Sequence, residues 1–190
     1  SPSHVGELLD CPRRWFLSRR LGASGPMSAK AQAGSLVHRI AEENAEHWCL
    51  ERAMDQLDAE WTTLSFDYAW ESHVLLENCR EGLRRLDAWL VKSSQRELVG
   101  TEVPIKHVFD LPSAMVHVAG SIDRLELDEA GNHIVIDYKT GTKLPGKMNP
   151  HVIQVAIYQA ALAEGDENRR PVDVGPAELV YLMDEPHKRG

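Results

Sequence analysis

The hydrophobic pattern divides the chain into a front half of helical period and a back half in which short alternating runs appear. Ser1-Pro2 suits a helix cap followed by proline at the first helical position. Cys11-Pro12 interrupts that helix, which resumes through Trp15, Phe16 and Leu17 until Gly22, ahead of a loop from Ala23 to Ser28. A second helix is predicted from about Lys30 to Leu50, with Val37, Ile40, Ala41, Asn44 and Trp48 on one side. A third spans about Ser72 to Lys92, where Leu75, Cys79, Leu83, Leu86 and Leu90 recur at steps of three and four.

The period changes near Leu98. Val103, Ile105 and Phe109 alternate, then Val116, Val118 and Gly120, then the run His133 to Lys139. Pro/Ser and Asp/Gly turn signals separate these three expected strands. Asn149-Pro150 opens a further helix that Gly165 stops, and Ala177 to Met183 reads as a last strand. The order implies an α/β fold with a central sheet. A chain of 190 residues is read as one domain, with residues 1–95 mainly helical and 96–190 holding the sheet and its helix.

The strand from His133 to Lys139 carries unusual chemistry. Asp137 and Lys139 are two apart, so both side chains leave the same face. Glu129-Ala130-Gly131 fits a three-residue hairpin loop with Gly131 in the left-handed position. Counting back from that loop sets Asp128 opposite Asn132 and Asp123 opposite Asp137, with Cβ atoms roughly 5 Å apart. Like charges so placed destabilise a sheet unless a cation lies between them, and a slip of one residue would send them to different faces. Two carboxylates plus water suit Mg²⁺. Beside a phosphodiester, Lys139 would orient a water or offset charge on the phosphorane. The plainer alternative is a surface Asp–Lys pair near a turn.

Gly120-Ser-Ile-Asp123-Arg, followed by Ile136-Asp137-Tyr-Lys139-Thr-Gly141, resembles the core motif of RecB-family nucleases in the PD-(D/E)xK superfamily. Ser3 to Arg14, with Cys11-Pro12-Arg13, is similar to that family's opening segment. Gly34-Ser-Leu-Val-His38 resembles its G-x-x-x-H motif and Gln154-Val-Ala-Ile-Tyr158 its Q-x-x-x-Y motif. The resemblance implies a restriction-endonuclease-like mixed sheet flanked by helices. It also implies phosphodiester hydrolysis at Asp123, Asp137 and Lys139, with Mg²⁺ or Mn²⁺ held by His38, Asp123, Asp137 and the backbone carbonyl of Tyr138.

Other positions follow from the same resemblance, each beside a plainer reading. His38 alone would be a structural or solvated histidine, with Glu42 four residues on as its one independent support. Glu102 could hold a second metal or a ligand, or be an exposed strand-end glutamate. Gln154 and Tyr158, one helical turn apart, would meet DNA or steady the site, and helix packing also accounts for Tyr158. Lys143 and Lys147 could contact phosphates. Arg13, Arg14, Arg19 and Arg20 form a basic cluster, for most of which a solvated helix face is the alternative.

Composition narrows the setting. Hydrophobic residues at 43% and charged residues at 26% are ordinary for a soluble globular protein. No apolar run approaches the ~20 residues that span a bilayer, and no signal-peptide pattern opens the sequence, so no membrane partner and a cytoplasmic, nucleoid-associated setting are expected. Cys11, Cys49 and Cys79 lack CxxC spacing and suggest a reducing compartment. Some relatives hold an iron–sulfur cluster through one early and three late cysteines. No cysteine follows Cys79, so no cluster is expected, and Cys11 is read as a buried structural residue.

A net charge of -8 disfavours a free-standing DNA binder, since affinity for phosphates normally rests on basic surface. There is no GxxxxGK(S/T) phosphate loop, and Ser1 stands where an initiator Met would. Together these suggest a nuclease domain excised from a longer helicase–nuclease, with DNA and an ATP-dependent helicase segment or subunit as partners. The expected activity is a DNA end-processing exonuclease in recombinational repair, in preference to an endonuclease. The alternatives are a catalytically inactive, DNA-binding or scaffolding copy of the fold, and a zinc hydrolase. The intact Asp123, Asp137 and Lys139 set disfavours the first, and the lack of HExxH spacing the second.

Overall fold

The computed structural model describes residues 1–23, 27–141, 149–165 and 169–183. A 3-10 turn at Pro2–His4 leads into α1 (Val5–Asp10) and α2 (Pro12–Arg20). Then come α3 (Ala29–Glu43), α4 (Leu50–Trp61) and α5 (Ala69–Lys92). The strands β1 (Glu97–Leu111), β2 (Ala114–Leu127) and β3 (His133–Lys139) are followed by α6 (Pro150–Glu164) and β4 (Glu178–Tyr181). The result is an α/β fold whose four-stranded mixed sheet has the order β1-β2-β3-β4. β1 and β2, and β2 and β3, pair antiparallel, whereas the bridge between His133 and Val174 is parallel.

The chain forms two compact units that do not follow its halves. One comprises residues 1–26, 96–137 and 144–179, and the other 27–95, 138–143 and 180–190. In the first, Val103, Ile105, Ile122, Leu125 and Val135 of the sheet pack with Val155, Tyr158, Ala161 and Leu162 of α6. The N-terminal helices belong to this unit too: α1 packs on α6, and a Cβ on Gly6 would lie 2.4 Å from the Pro150 side chain. Asn149 caps α6 by accepting from the His151 amide, and Gly165 ends it at φ 78.

In the second unit α3, α4 and α5 pack on one another. Leu75, Cys79, Leu83 and Leu86 form the buried stripe of α5, as its spacing predicts. The helix expected over 30–50 is shorter. It stops at Glu43 because the Asn44 side chain donates both to the Ile40 carbonyl (2.9 Å) and to Gln56 of α4 (2.8 Å). The bond to Gln56 ties the end of α3 to α4, an element the sequence reading passed over. Its signal was the four-residue repeat of Ala53, Leu57 and Trp61, all buried.

Cys11 also departs from expectation. It is half-buried, and its Sγ accepts from the Arg14 amide at 3.5 Å as the N-cap of α2. Only Cys79 is buried, and burial pushes its thiol up to about 12.

Candidate active site

The hairpin between β2 and β3 has the register counted from its loop. Asp128 and Asn132 close the loop through a 3.0 Å backbone bond, and Gly131 takes φ 84. The Asp128 carboxylate accepts from the Asn132 side chain and amide and from the Ala130 amide, which holds it below the usual carboxylate range. Leu127 pairs with His133, Glu126 with Ile134, Leu125 with Val135 and Arg124 with Ile136. The pairing ends there, one residue short of Asp123 and Asp137.

β1 extends the row. Thr101 pairs with Arg124 and Val103 with Ile122, so Glu102 falls at the level of Asp123. Glu102 has φ 44, a left-handed conformation that a non-glycine residue adopts at a cost, and its carboxylate accepts from the Ser121 hydroxyl at 2.5 Å. Glu102 and Asp123 thus lie level on neighbouring strands, and Asp137 follows the last paired residue of β3.

α6 covers this level with its polar pair. Gln154 and Tyr158 are both buried, and the Gln154 amide donates to Asp137 Oδ1 at 2.7 Å. Asp137 itself is 2% exposed. Burial first, and then the negative charges of Asp137, Asp123 and Glu102, push the Tyr158 hydroxyl up to about 12, opposed by its hydrogen bond with Gln154. Tyr158 therefore remains a neutral phenol at any physiological pH. Its hydroxyl lies where a side chain on Gly120 would: a Cβ there would be 2.7 Å away. The glycine of the G-x-x-D segment and the tyrosine of the Q-x-x-x-Y segment are in this way parts of one contact.

The same device recurs in the second unit. A Cβ on Gly34 of α3 would lie 2.5 Å from Thr140 Oγ1, so α3 runs close against the residue following Lys139. One turn on, the half-buried His38 sets its ring edge-on to Tyr138, with centroids 6.1 Å apart. Trp89 approaches Tyr138 similarly at 6.3 Å. Tyr138 is the buried residue between Asp137 and Lys139, and the Lys139 carbonyl accepts from the Leu182 amide at 2.8 Å.

Glu42 is exposed in the last turn of α3. Arg13 and Arg14 are exposed on α2, where Arg14 lies 3.9 Å from Asp10. Arg19 bonds Glu7 at 2.7 Å, so the basic cluster is partly neutralised. Lys143 and Lys147 lie outside the described residues.

One feature escaped the sequence reading. Arg124 and Glu126, on the alternate face of β2, are buried at 7% and 1% exposure and bond each other. Arg96 joins them, 3.7 Å from Glu126 and bonded to Glu178 of β4. The available signal was two opposite charges at strand spacing inside an apolar run.

Hard carboxylate oxygens on adjacent strands suit Mg²⁺ or Mn²⁺, which bind through one or two carboxylates and keep waters. Among the described residues no three His, Cys, Asp or Glu side chains form a cation cage by themselves.

Residues 1–190 match the PD-(D/E)XK nuclease superfamily, and the chain belongs to it. That membership supports a nuclease enzyme, and the mixed sheet flanked by helices agrees with the restriction-endonuclease-like fold. No curated protein matches the chain. Among solved structures, one described as "Crystal structure of SSO0001" is similar at 16% identity and a TM-score of 0.34, covering 95% of this chain and 79% of that one. Among the described residues no helix is long and apolar enough to cross a membrane.

Proposed function

We propose that this chain is a Mg²⁺- or Mn²⁺-dependent deoxyribonuclease of the RecB-like branch, acting as an exonuclease on DNA ends. The observation that supports the reading is the pairing of Arg124 with Ile136 between β2 and β3, one residue from Asp123 and from the buried Asp137. Asp123 and Asp137 would hold the cation, with His38 and the Tyr138 carbonyl as further donors by resemblance to the family. Bound there, the ion supplies polarisation of the phosphoryl oxygen and a more acidic water. Gln154 fixes the Asp137 carboxylate by donating to it, and the neutral Tyr158 hydroxyl bonds Gln154 in turn. Lys139, two residues along the strand, orients the attacking water or offsets charge on the phosphorane. Glu102 supports the row from β1. The products are a 3′-hydroxyl and a 5′-phosphate.

The partner is an ATP-dependent helicase segment or subunit, in recombinational repair of cytoplasmic, nucleoid-associated DNA. The net charge of -8 supports this setting, because a motor that delivers DNA removes the need for a basic surface here. The test is cleavage of linear single- and double-stranded DNA with Mg²⁺ or Mn²⁺ by the parent, Asp137→Ala and Lys139→Ala. Metal-dependent cutting lost in both variants is expected. A parent that neither cuts nor binds metal through Asp123 and Asp137 would sink the reading.

A further inference from the structure

Side chains along a strand alternate between its two faces, so residues three apart point opposite ways. β2 departs from this beside the carboxylates. Ile122 and Leu125 are three apart, yet both pack in the core that α6 covers. From Arg124 onward the alternation is regular, since Arg124 and Glu126 bond each other on the face opposite Leu125. The break therefore falls at Asp123, between Ile122 and Arg124.

β1 is irregular at the same level. Glu102 lies between Thr101, which pairs with Arg124, and Val103, which pairs with Ile122. Its φ of 44 makes it the one non-glycine residue of positive φ among the described residues. One side-chain bond joins the two irregularities. Ser121 pairs with Pro104, but its hydroxyl donates along the diagonal to the Glu102 carboxylate at 2.5 Å. We propose that Ser121 is a positioning residue, whose bond to Glu102 braces the break in the hairpin and so fixes the direction of the Asp123 carboxylate.

A left-handed backbone at a glutamate persists only where its surroundings hold it. Local breaks in a strand pair serve to re-aim a side chain, and here the residue at the break is a proposed metal ligand. Released from Ser121, Glu102 is free to return to extended backbone, and the pair to regular alternation. Asp123 would then leave the direction it has. The Tyr158 hydroxyl feels the negative charge of both Asp123 and Glu102, which places the brace within electrostatic reach of the site. The inference rests on the nuclease reading, which gives the direction of Asp123 its purpose.

The test is calorimetric titration of the full chain with Mn²⁺, without DNA, after thermal melts confirm that each variant is folded. Ser121→Ala should bind Mn²⁺ about tenfold more weakly than the parent. Ser121→Thr, which keeps the hydroxyl, should restore near-parent affinity, and a merely structural serine would not show that pattern. Ser121→Cys keeps the volume but donates weakly, and should fall between. In a Glu102→Ala background, Ser121→Ala should change the affinity no further. Urea unfolding in EDTA reads the brace without metal, and there the Ser121→Ala and Glu102→Ala effects should be coupled. Parent-like Mn²⁺ binding by Ser121→Ala, or independent effects of the two substitutions on unfolding, would overturn the brace alone. A parent that binds no Mn²⁺ would overturn the nuclease reading and this inference with it.

Discussion

The Tyr158 hydroxyl occupies the space that a side chain on Gly120 would need, 2.7 Å from where the Cβ would be. Pro2 and Ser1 lie within 3.4 Å of the same point, so an added methyl has nowhere to relax. Gly120→Ala should therefore lower stability by about 1–3 kcal/mol. Combined with Tyr158→Phe, which removes the clashing atom, the loss should be smaller than the sum of the single changes. Urea unfolding of the four proteins gives the coupling, and strict additivity would disprove the contact.

Gly34 offers a test of opposite intuition. On an isolated helix, Gly→Ala stabilises by about 1 kcal/mol. Here the new Cβ would sit 2.5 Å from Thr140 Oγ1, so Gly34→Ala should destabilise. In a Thr140→Ala background the obstruction is gone, and the same substitution should regain most of that loss. Thermal melts of the pair decide it.

Gln154 donates to a carboxylate proposed to bind metal, and such supporting bonds typically tune affinity by about 10–100-fold. Gln154→Ala should raise the Mn²⁺ concentration needed for half-maximal cleavage by that factor, with little change at saturating metal. Calorimetric titration with Mn²⁺ checks the same quantity without cleavage. An unchanged requirement would mean that Gln154 serves packing alone.

Tyr158 sets a pH limit. Its pKa in the fold is raised from 10.0 to about 12, so the folded state favours the neutral phenol. The resulting stability is fully present below pH 10 and is lost as pH rises towards about 12. Tyr158→Phe should remove this alkaline component from the stability profile. Absorbance near 295 nm should show a late-titrating tyrosine that is missing from Tyr158→Phe.

Glu126 tests the buried network. Replacing it with Ala leaves the Arg124 guanidinium buried without its partner and Arg96 without one of its two carboxylates. A loss of about 3–5 kcal/mol is expected. Glu126→Leu with Arg124→Met, which removes the charges together, should lose much less. Denaturant midpoints of these variants separate the two cases.

What was legible in the chain follows from which forces act locally. The loop at Glu129-Ala130-Gly131 specifies its register through turn chemistry alone, so the level of Asp123 and Asp137 could be counted. The stripe of α5 and the Asn149-Pro150 start of α6 were likewise local signals. The end of α3 was not, because Asn44 reads as one more residue on a helix face until Gln56 arrives from the next helix to bond it. The Arg124–Glu126 pair was hidden for a related reason: charge in a strand ordinarily marks solvent, and only the partners Arg96 and Glu178 explain its burial. The contacts at Gly120 and Gly34 show why those glycines belong to their motifs, which spacing alone could not supply.

The loop between β2 and β3 carries a consequence for how this chain can vary. Exposed turns ordinarily drift in both composition and length. Glu129 and Ala130 are solvent-exposed and free to change identity. Their number is another matter, since one residue gained or lost would move the carboxylate of β3 to the opposite side of the sheet. Among functional relatives this turn should therefore be loose in spelling and fixed in length, a surface segment constrained by chemistry it never touches.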